Sequence, residues 1–319
     1  MASMPASSEG EASPSASVSV ISSRAGSASA ACIAARRPSS EVISLFIDSI
    51  LTELITSVKM GAVTSAPVPL PRRLAAEFLG SAFLAAIVIG SGIAAQRLSP
   101  GNTGLELLEN AAATAAGLFA IILMFGAVSG AHFNPVVSFA DAALGGLSWR
   151  DAAAYLPVQV AGCVTGAVAA NLMFALPAVS ISTKHRASGA HALSEVIATA
   201  GLILVIFALA RSGRLASAPA AVGAYIGAAY FFTSSTSFAN PAITIGRMFS
   251  NTFAGIAPSS APVFIAAQIG GGIAGVLIIR LLYPALTAAQ AAEAVMPREA
   301  VTDTAALDGD RPARVPDAR

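Results

Sequence analysis

The sequence predicts an all-α membrane protein with six transmembrane helices and two re-entrant half-helices, arranged as an inverted internal repeat. Three observations carry this. Of 319 residues, 55% are hydrophobic and 11% charged, with a mean hydropathy of +0.73, whereas a soluble domain carries roughly 25% charged residues. Six apolar stretches are long enough, at about 1.5 Å per residue, to cross a hydrocarbon core roughly 30 Å thick. Two Asn-Pro pairs open further short apolar runs at matching places in the two halves of the chain.

In chain order, residues 1–37 are rich in Ser and Ala, lack a basic start and an apolar signal-peptide core, and read as disordered. Residues 42–60 set Ile43, Phe46, Ile47, Ile50, Leu51, Leu54, Ile55 and Val58 at helical spacing. That segment is either an interfacial amphipathic helix or an extension upstream of a start at Met60. The spans are expected near 73–95, 106–128, 150–175, 192–210, 217–234 and 262–284, with the fourth and fifth short. This gives an N-terminal extension over 1–70, a membrane domain over 71–285 with repeats at about 72–175 and 192–284, and a disordered tail over 286–319.

The repeat rests on three landmarks in one order. Glu77 pairs with Glu195, Asn134-Pro135 with Asn240-Pro241, and Gln159 with Gln268. Glu-to-Asn separations of 57 and 45 residues differ by an amount that loops can absorb. Three spans per copy is an odd number, so the second copy enters the membrane from the opposite face. Glycines four apart, Gly126/Gly130, Gly162/Gly166, Gly223/Gly227 and Gly271/Gly275, predict close helix contact. Arg72, Arg73, Arg150, Arg211, Arg214 and Arg280 fall on the side of the amino terminus, and Arg97, Lys184, Arg186 and Arg247 on the other. Six against four favours both termini in the cytoplasm.

Asn is a strong helix N-cap, and Pro suits the first helical position because its missing N–H has no intrahelical acceptor there. Asn134 and Asn240 therefore each start a half-helix, over 135–144 and 241–250. Each is roughly 15 Å long, so two entering from opposite faces meet near the midplane. Neither spans alone. The extended segments before them, 129–133 and 236–239, carry carbonyls that no helix satisfies, which is tolerated at membrane depth only inside protein or beside a wet cavity. Both half-helix N-termini point their partial positive charge at the centre, disfavouring cations there while leaving neutral solutes unaffected.

These residues resemble the aquaporin, or major intrinsic protein, family over roughly 72–284. The resemblance rests on Ala76-Glu77-Phe78-Leu79-Gly80, Ser129-Gly130-Ala131-His132-Phe133-Asn134-Pro135-Val136 and Phe238-Ala239-Asn240-Pro241-Ala242. It implies one pore per subunit, a homotetramer, and Asn134, Pro135, Val136, Asn240, Pro241 and Ala242 at the pore centre. It also implies that Glu77 and Glu195 brace the re-entrant loops by accepting backbone N–H bonds, with His132 bracing as well or simply packed. The resemblance to bacterial members points to the inner membrane.

The chain departs from the family pattern twice. Val136 stands where the family usually has Ala, and Ile243 stands where it usually has Arg; Arg247 lies one helical turn further on. By family spacing from the asparagines, the four constriction positions fall at Thr114, Ala228, Ser237 and Ile243. That set holds two hydroxyls, one methyl and one branched alkyl, so the constriction is expected to be wider and less charged than a water-selective one. It resembles aquaglyceroporin-like channels, including those passing neutral metalloid hydroxides such as arsenous acid.

The implied partners are water, small neutral solutes and the lipid bilayer. Near-neutral charge, 18 basic against 17 acidic residues, excludes the basic excess of a nucleic-acid binder. Cys32, Cys163, His132, His185 and His191 are too few and scattered for a disulfide framework or metal site. No nucleophile, base and orienting group cluster in the sequence, so no enzyme and no cofactor are expected. Two other classes stay open: a proton-coupled secondary transporter using Glu77 or Glu195, and a membrane scaffold with an occluded pore.

Overall fold

The computed structural model describes residues 68–284. The segment 42–60 and the tail from 286 lie outside those residues. Within them the chain is helical and loop-connected. Six long helices are present: α1 (Leu70–Leu98), α2 (Thr103–Ser129), α4 (Trp149–Met173), α5 (Gly189–Arg211), α6 (Ala218–Phe232) and α8 (Ala261–Leu282). Two short ones, α3 (Pro135–Leu144) and α7 (Pro241–Arg247), begin at the two Asn-Pro pairs. All six long elements, counting the 3-10 turn Leu215–Ser217 ahead of α6, are long and apolar enough to cross a membrane.

Local chemistry sets the boundaries. Asn102, Ser148 and Ser188 cap α2, α4 and α5 by accepting the N–H of Leu105, Asp151 and His191. Proline in the first turn starts α1, α6 and α8. Left-handed glycines, Gly130 and Gly145, stop α2 and α3. The second half-helix is three residues shorter than the expected 241–250. Its last turn tightens, Phe249 N–H donating to the Gly246 carbonyl, while the Met248 and Phe249 carbonyls accept N–H groups of Ser182 (2.8 Å) and Ser180 (3.1 Å). A loop takes the bonds that further helix would need. The two half-helices are thus about 15 and 10 Å long.

The two repeats pack alike. Helix α1 lies on α4, and α5 on α8. A Cβ on Gly162 or Gly166 would strike the Phe78 or Ala82 carbonyl of α1; on Gly271 or Gly275 it would strike Val196, Thr199 or Ile203 of α5. Gly223 and Gly227 admit Ala115 of α2 in the same way. The fourth pair differs from expectation, because Gly126 has nothing near it and Gly130 serves as the left-handed cap of α2. Half-helix α3 packs on α4 and α8, and α7 on α4 and α1, so both stubs sit inside the bundle. Basic residues gather at two ends: Arg73 pairs with Asp151 and Arg280 donates to the Ala143 carbonyl at one, while Arg97, Lys184 and Arg186 donate to carbonyls of Phe174, Phe253 and Gly255 at the other.

Candidate functional site at the meeting of two half-helices

The site is built twice from the same parts. Glu77 is fully buried; its Oε1 accepts the Ser129 hydroxyl (2.6 Å) and the His132 N–H (3.0 Å), and its Oε2 accepts the Phe133 N–H (2.7 Å) and the Gln159 amide (2.8 Å). Glu195, equally buried, takes the Ser235 hydroxyl (2.6 Å), the N–H groups of Phe238 (2.9 Å) and Ala239 (2.9 Å), and the Gln268 amide (2.7 Å). Each buried carboxylate therefore has four donors, the condition under which a charge survives away from water. Gln159 and Gln268 also bond Ser138 and Thr244, the first-turn hydroxyls of the half-helices.

Asn134 and Asn240 cap α3 and α7 through Oδ1, accepting the N–H of Val136 (3.0 Å) and Ala242 (2.9 Å). Their amides cross between the halves. Asn134 Nδ2 donates to the Ala239 carbonyl and Asn240 Nδ2 to the Phe133 carbonyl, both at 2.7 Å. The half-helix tips meet at this reciprocal pair. An amide has two N–H groups, so each asparagine keeps one beyond this bond. Val136 and Ala242 are buried beside Pro135 and Pro241, and Val136 lies against Gly272 of α8 so closely that a Cβ there would meet its methyl.

The sequence suggested extended loops before the half-helices, and the structure corrects this. Ala131 (φ 52°), Phe133 (φ 49°), Thr236 (φ 64°), Ser237 (φ 50°) and Ala239 (φ 48°) are all left-handed. Each such non-glycine residue costs of order 1–3 kcal/mol and persists only where its surroundings over-determine it. Here the glutamates do so, collecting the N–H groups on one side. Among the described residues no protein donor takes the carbonyls of Gly130, Ala131, His132, Thr236, Ser237 or Phe238. His132 is buried, with Nδ1 at 2.9 Å from the Ser138 hydroxyl, Nε2 at 3.6 Å from Asp141, and its ring edge-on to Tyr155.

Of the four expected constriction residues, three line the interior. Thr114 is buried, Ile243 is buried on α7, and Ser237 is buried with a hydroxyl that has no protein partner. Ala228 is not with them. It lies on the exposed face of α6, whose interior face carries Val222, Ile226 and Tyr230. The Tyr230 hydroxyl instead meets Thr114 Oγ1 at 3.1 Å. Counting back from Asn240 runs two residues past the inward Tyr230, and two residues turn a helix by about 200°. Ser129 and Ser235 also escaped the sequence reading, although both stand five residues before their asparagine. That shared offset was the available signal.

At the end of the bundle that carries Arg97, Lys184 and Arg186, burial lowers the Arg186 guanidinium to about 10, with Tyr230 and Glu195 opposing. Desolvation, then the charges of Arg186 and Arg247, lower the Lys184 ammonium to about 8, with Glu106 opposing. Among the described residues no group of three His, Cys, Asp or Glu could hold a metal.

The family model described as Major intrinsic protein matches residues 64–238 and 234–307. The chain belongs to the major intrinsic protein family. As such it is a multi-pass integral membrane channel for water and small neutral solutes, and not an enzyme. Aquaglyceroporin AqpS of Rhizobium meliloti (strain 1021) is 47% identical over 217 residues, covering 68% of this chain and 92% of the relative. The human lens fiber major intrinsic protein is 31% identical over 233 residues, covering 67% and 82%. The X-ray structure of the aquaglyceroporin from Plasmodium falciparum superposes with a TM-score of 0.53 at 20% identity, covering 68% of this chain and 98% of that one. That likeness supports the aquaporin-like fold of this family member.

Proposed function

We propose that this channel is a passive one of aquaglyceroporin type, taking glycerol-like polyols and neutral metalloid hydroxides such as arsenous acid as well as water. Solutes pass between the unpaired loop carbonyls and the second N–H of Asn134 and Asn240. The single observation carrying this is the reciprocal Asn134–Ala239 and Asn240–Phe133 bonding, which seats two half-helix N-termini tip to tip inside the bundle. Glu77 and Glu195 brace the two loops, and His132 helps hold the first. Thr114, Tyr230, Ser237 and Ile243 set specificity. The free Ser237 hydroxyl supports hydrogen bonding to solute, and Ile243 supplies an apolar wall where a cation would narrow the opening. The transporter alternative is weakened, since every oxygen of Glu77 and Glu195 already holds two donors and a proton would have to displace one.

Assembly as a homotetramer in a bacterial inner membrane, with both termini cytoplasmic, completes the proposal, the orientation supported by the six-to-four basic asymmetry. The test is the purified chain in liposomes, followed by light scattering under water, glycerol, urea and arsenous acid gradients. Non-saturating flux with a low activation energy is expected. Saturable uptake driven by a pH gradient, or no flux at all, overturns the reading.

A further inference from the structure

Arg247 closes the half-helix α7 one turn beyond Ile243, and helical side chains lean back toward the N-terminus. The lean brings its guanidinium over the ring of Phe238, Cζ lying 3.4 Å from the centroid. Arg186, from the loop between α4 and α5, approaches the same ring at 5.3 Å. Phe238 stands two residues before Asn240, beside Ser237, so both cations sit at the level of the outer constriction. Tyr230, the partner of Thr114, is within electrostatic range of both.

The hydrogen bonding of Arg247 is incomplete. It is 2% exposed, yet a guanidinium has five N–H donors. Nε donates to the Ala254 carbonyl, and among the described residues no protein acceptor takes the Nη groups. No carboxylate pairs with it; among the described residues the one arginine–carboxylate ion pair is Arg73–Asp151. A buried, unpaired cation with open donors is sustainable only where water reaches those donors. Water beside Phe238 is water in the lane.

We propose that Arg247, seated on Phe238 and seconded by Arg186, supplies the fixed positive charge at the outer constriction that Ile243 does not, and so is a determinant of proton and cation exclusion. The inference rests on the reading of the lane as the conducting path. The charge reaches the lane from one turn further out, leaving the wall at Ile243 apolar. The constriction thus combines an uncharged contact for solute bulk with a cation that repels charge.

The experiment uses the full chain in liposomes, with a pH-sensitive dye reporting proton entry under an imposed gradient and light scattering reporting water flux on the same preparation. Arg247→Gln should raise the ratio of proton leak to water flux by about tenfold or more, the scale of removing one unit charge a few ångströms from the path. Arg247→Lys should hold the ratio near the native value, and Ile243→Arg with Arg247→Gln should bring it back down. A water-conducting Arg247→Gln channel with the native ratio overturns the proposal. If that variant fails to insert, Arg186→Gln decides: an increase of about threefold supports the proposal and no increase overturns it. A native chain that conducts nothing refutes the lane itself, a result distinct from an unchanged ratio.

Discussion

Replacing Glu195 with leucine tests the loop-bracing geometry most directly, because leucine nearly fills the space and removes every acceptor. Four donors lose their partner. Two can turn elsewhere: the Gln268 amide already lies 2.9 Å from Thr244 Oγ1, and the Ser235 hydroxyl rotates. The N–H groups of Phe238 and Ala239 cannot turn, being fixed by backbone. Each buried orphan costs about 1–3 kcal/mol, so the change should destabilise by about 4 kcal/mol. For roughly 200 folded residues this lowers Tm by about 10 °C. Cys163 is fully buried, so in a Cys32→Ser background a thiol-reactive fluorophore in detergent reads the transition as that thiol becomes accessible. Glu77→Leu should behave alike, since His132 and Phe133 donate to it in the same way. Shifts under 2 °C in both variants, with native water flux, would refute the claim that these carboxylates hold the left-handed loops in place.

Other outcomes follow from the same geometry. Ile243→Arg should cut glycerol flux far more than water flux in light scattering; equal loss would mean that residue 243 is not at the constriction. Gly166→Ala and Gly275→Ala should each destabilise by about 1–3 kcal/mol, because their new methyls meet Ala82 and Ile203, whereas Gly126→Ala should be neutral or slightly stabilising by thermal melting. Lys184, lowered to about 8, is protonated below that pH and a free amine above it. Its acylation by an amine reagent, followed by peptide mass spectrometry, should therefore rise with a midpoint near pH 8, well ahead of ordinary lysines near 10.4.

Much of this architecture was legible along the chain. Asn134 and Asn240 announce their helices because capping depends on one side chain and the next few residues. The spans are legible because lipid selects apolar length. Glu77, Gln159, Glu195 and Gln268 could be paired across the repeat because each keeps its order relative to the Asn-Pro landmark, and the structure closes both sets into the same four-donor arrangement. Less of the constriction could be read. Thr114, Ser237 and Ile243 are buried in the bundle and Ala228 is exposed, because spacing through a loop fixes position along a helix but leaves its rotation free by 100° per residue.

The sequence by itself determined which segments cross the bilayer, where the two stubs begin, and that the halves run in opposite senses, since these depend on apolar length, capping and an odd count of spans. Tertiary structure alone decided that Tyr230 meets Thr114, that the loops turn left-handed against two glutamates, that α7 ends early against the 180–182 loop, and that Arg247 folds back over Phe238. Each of those depends on a partner far away in the chain, and on the distance between two elements that no local pattern encodes.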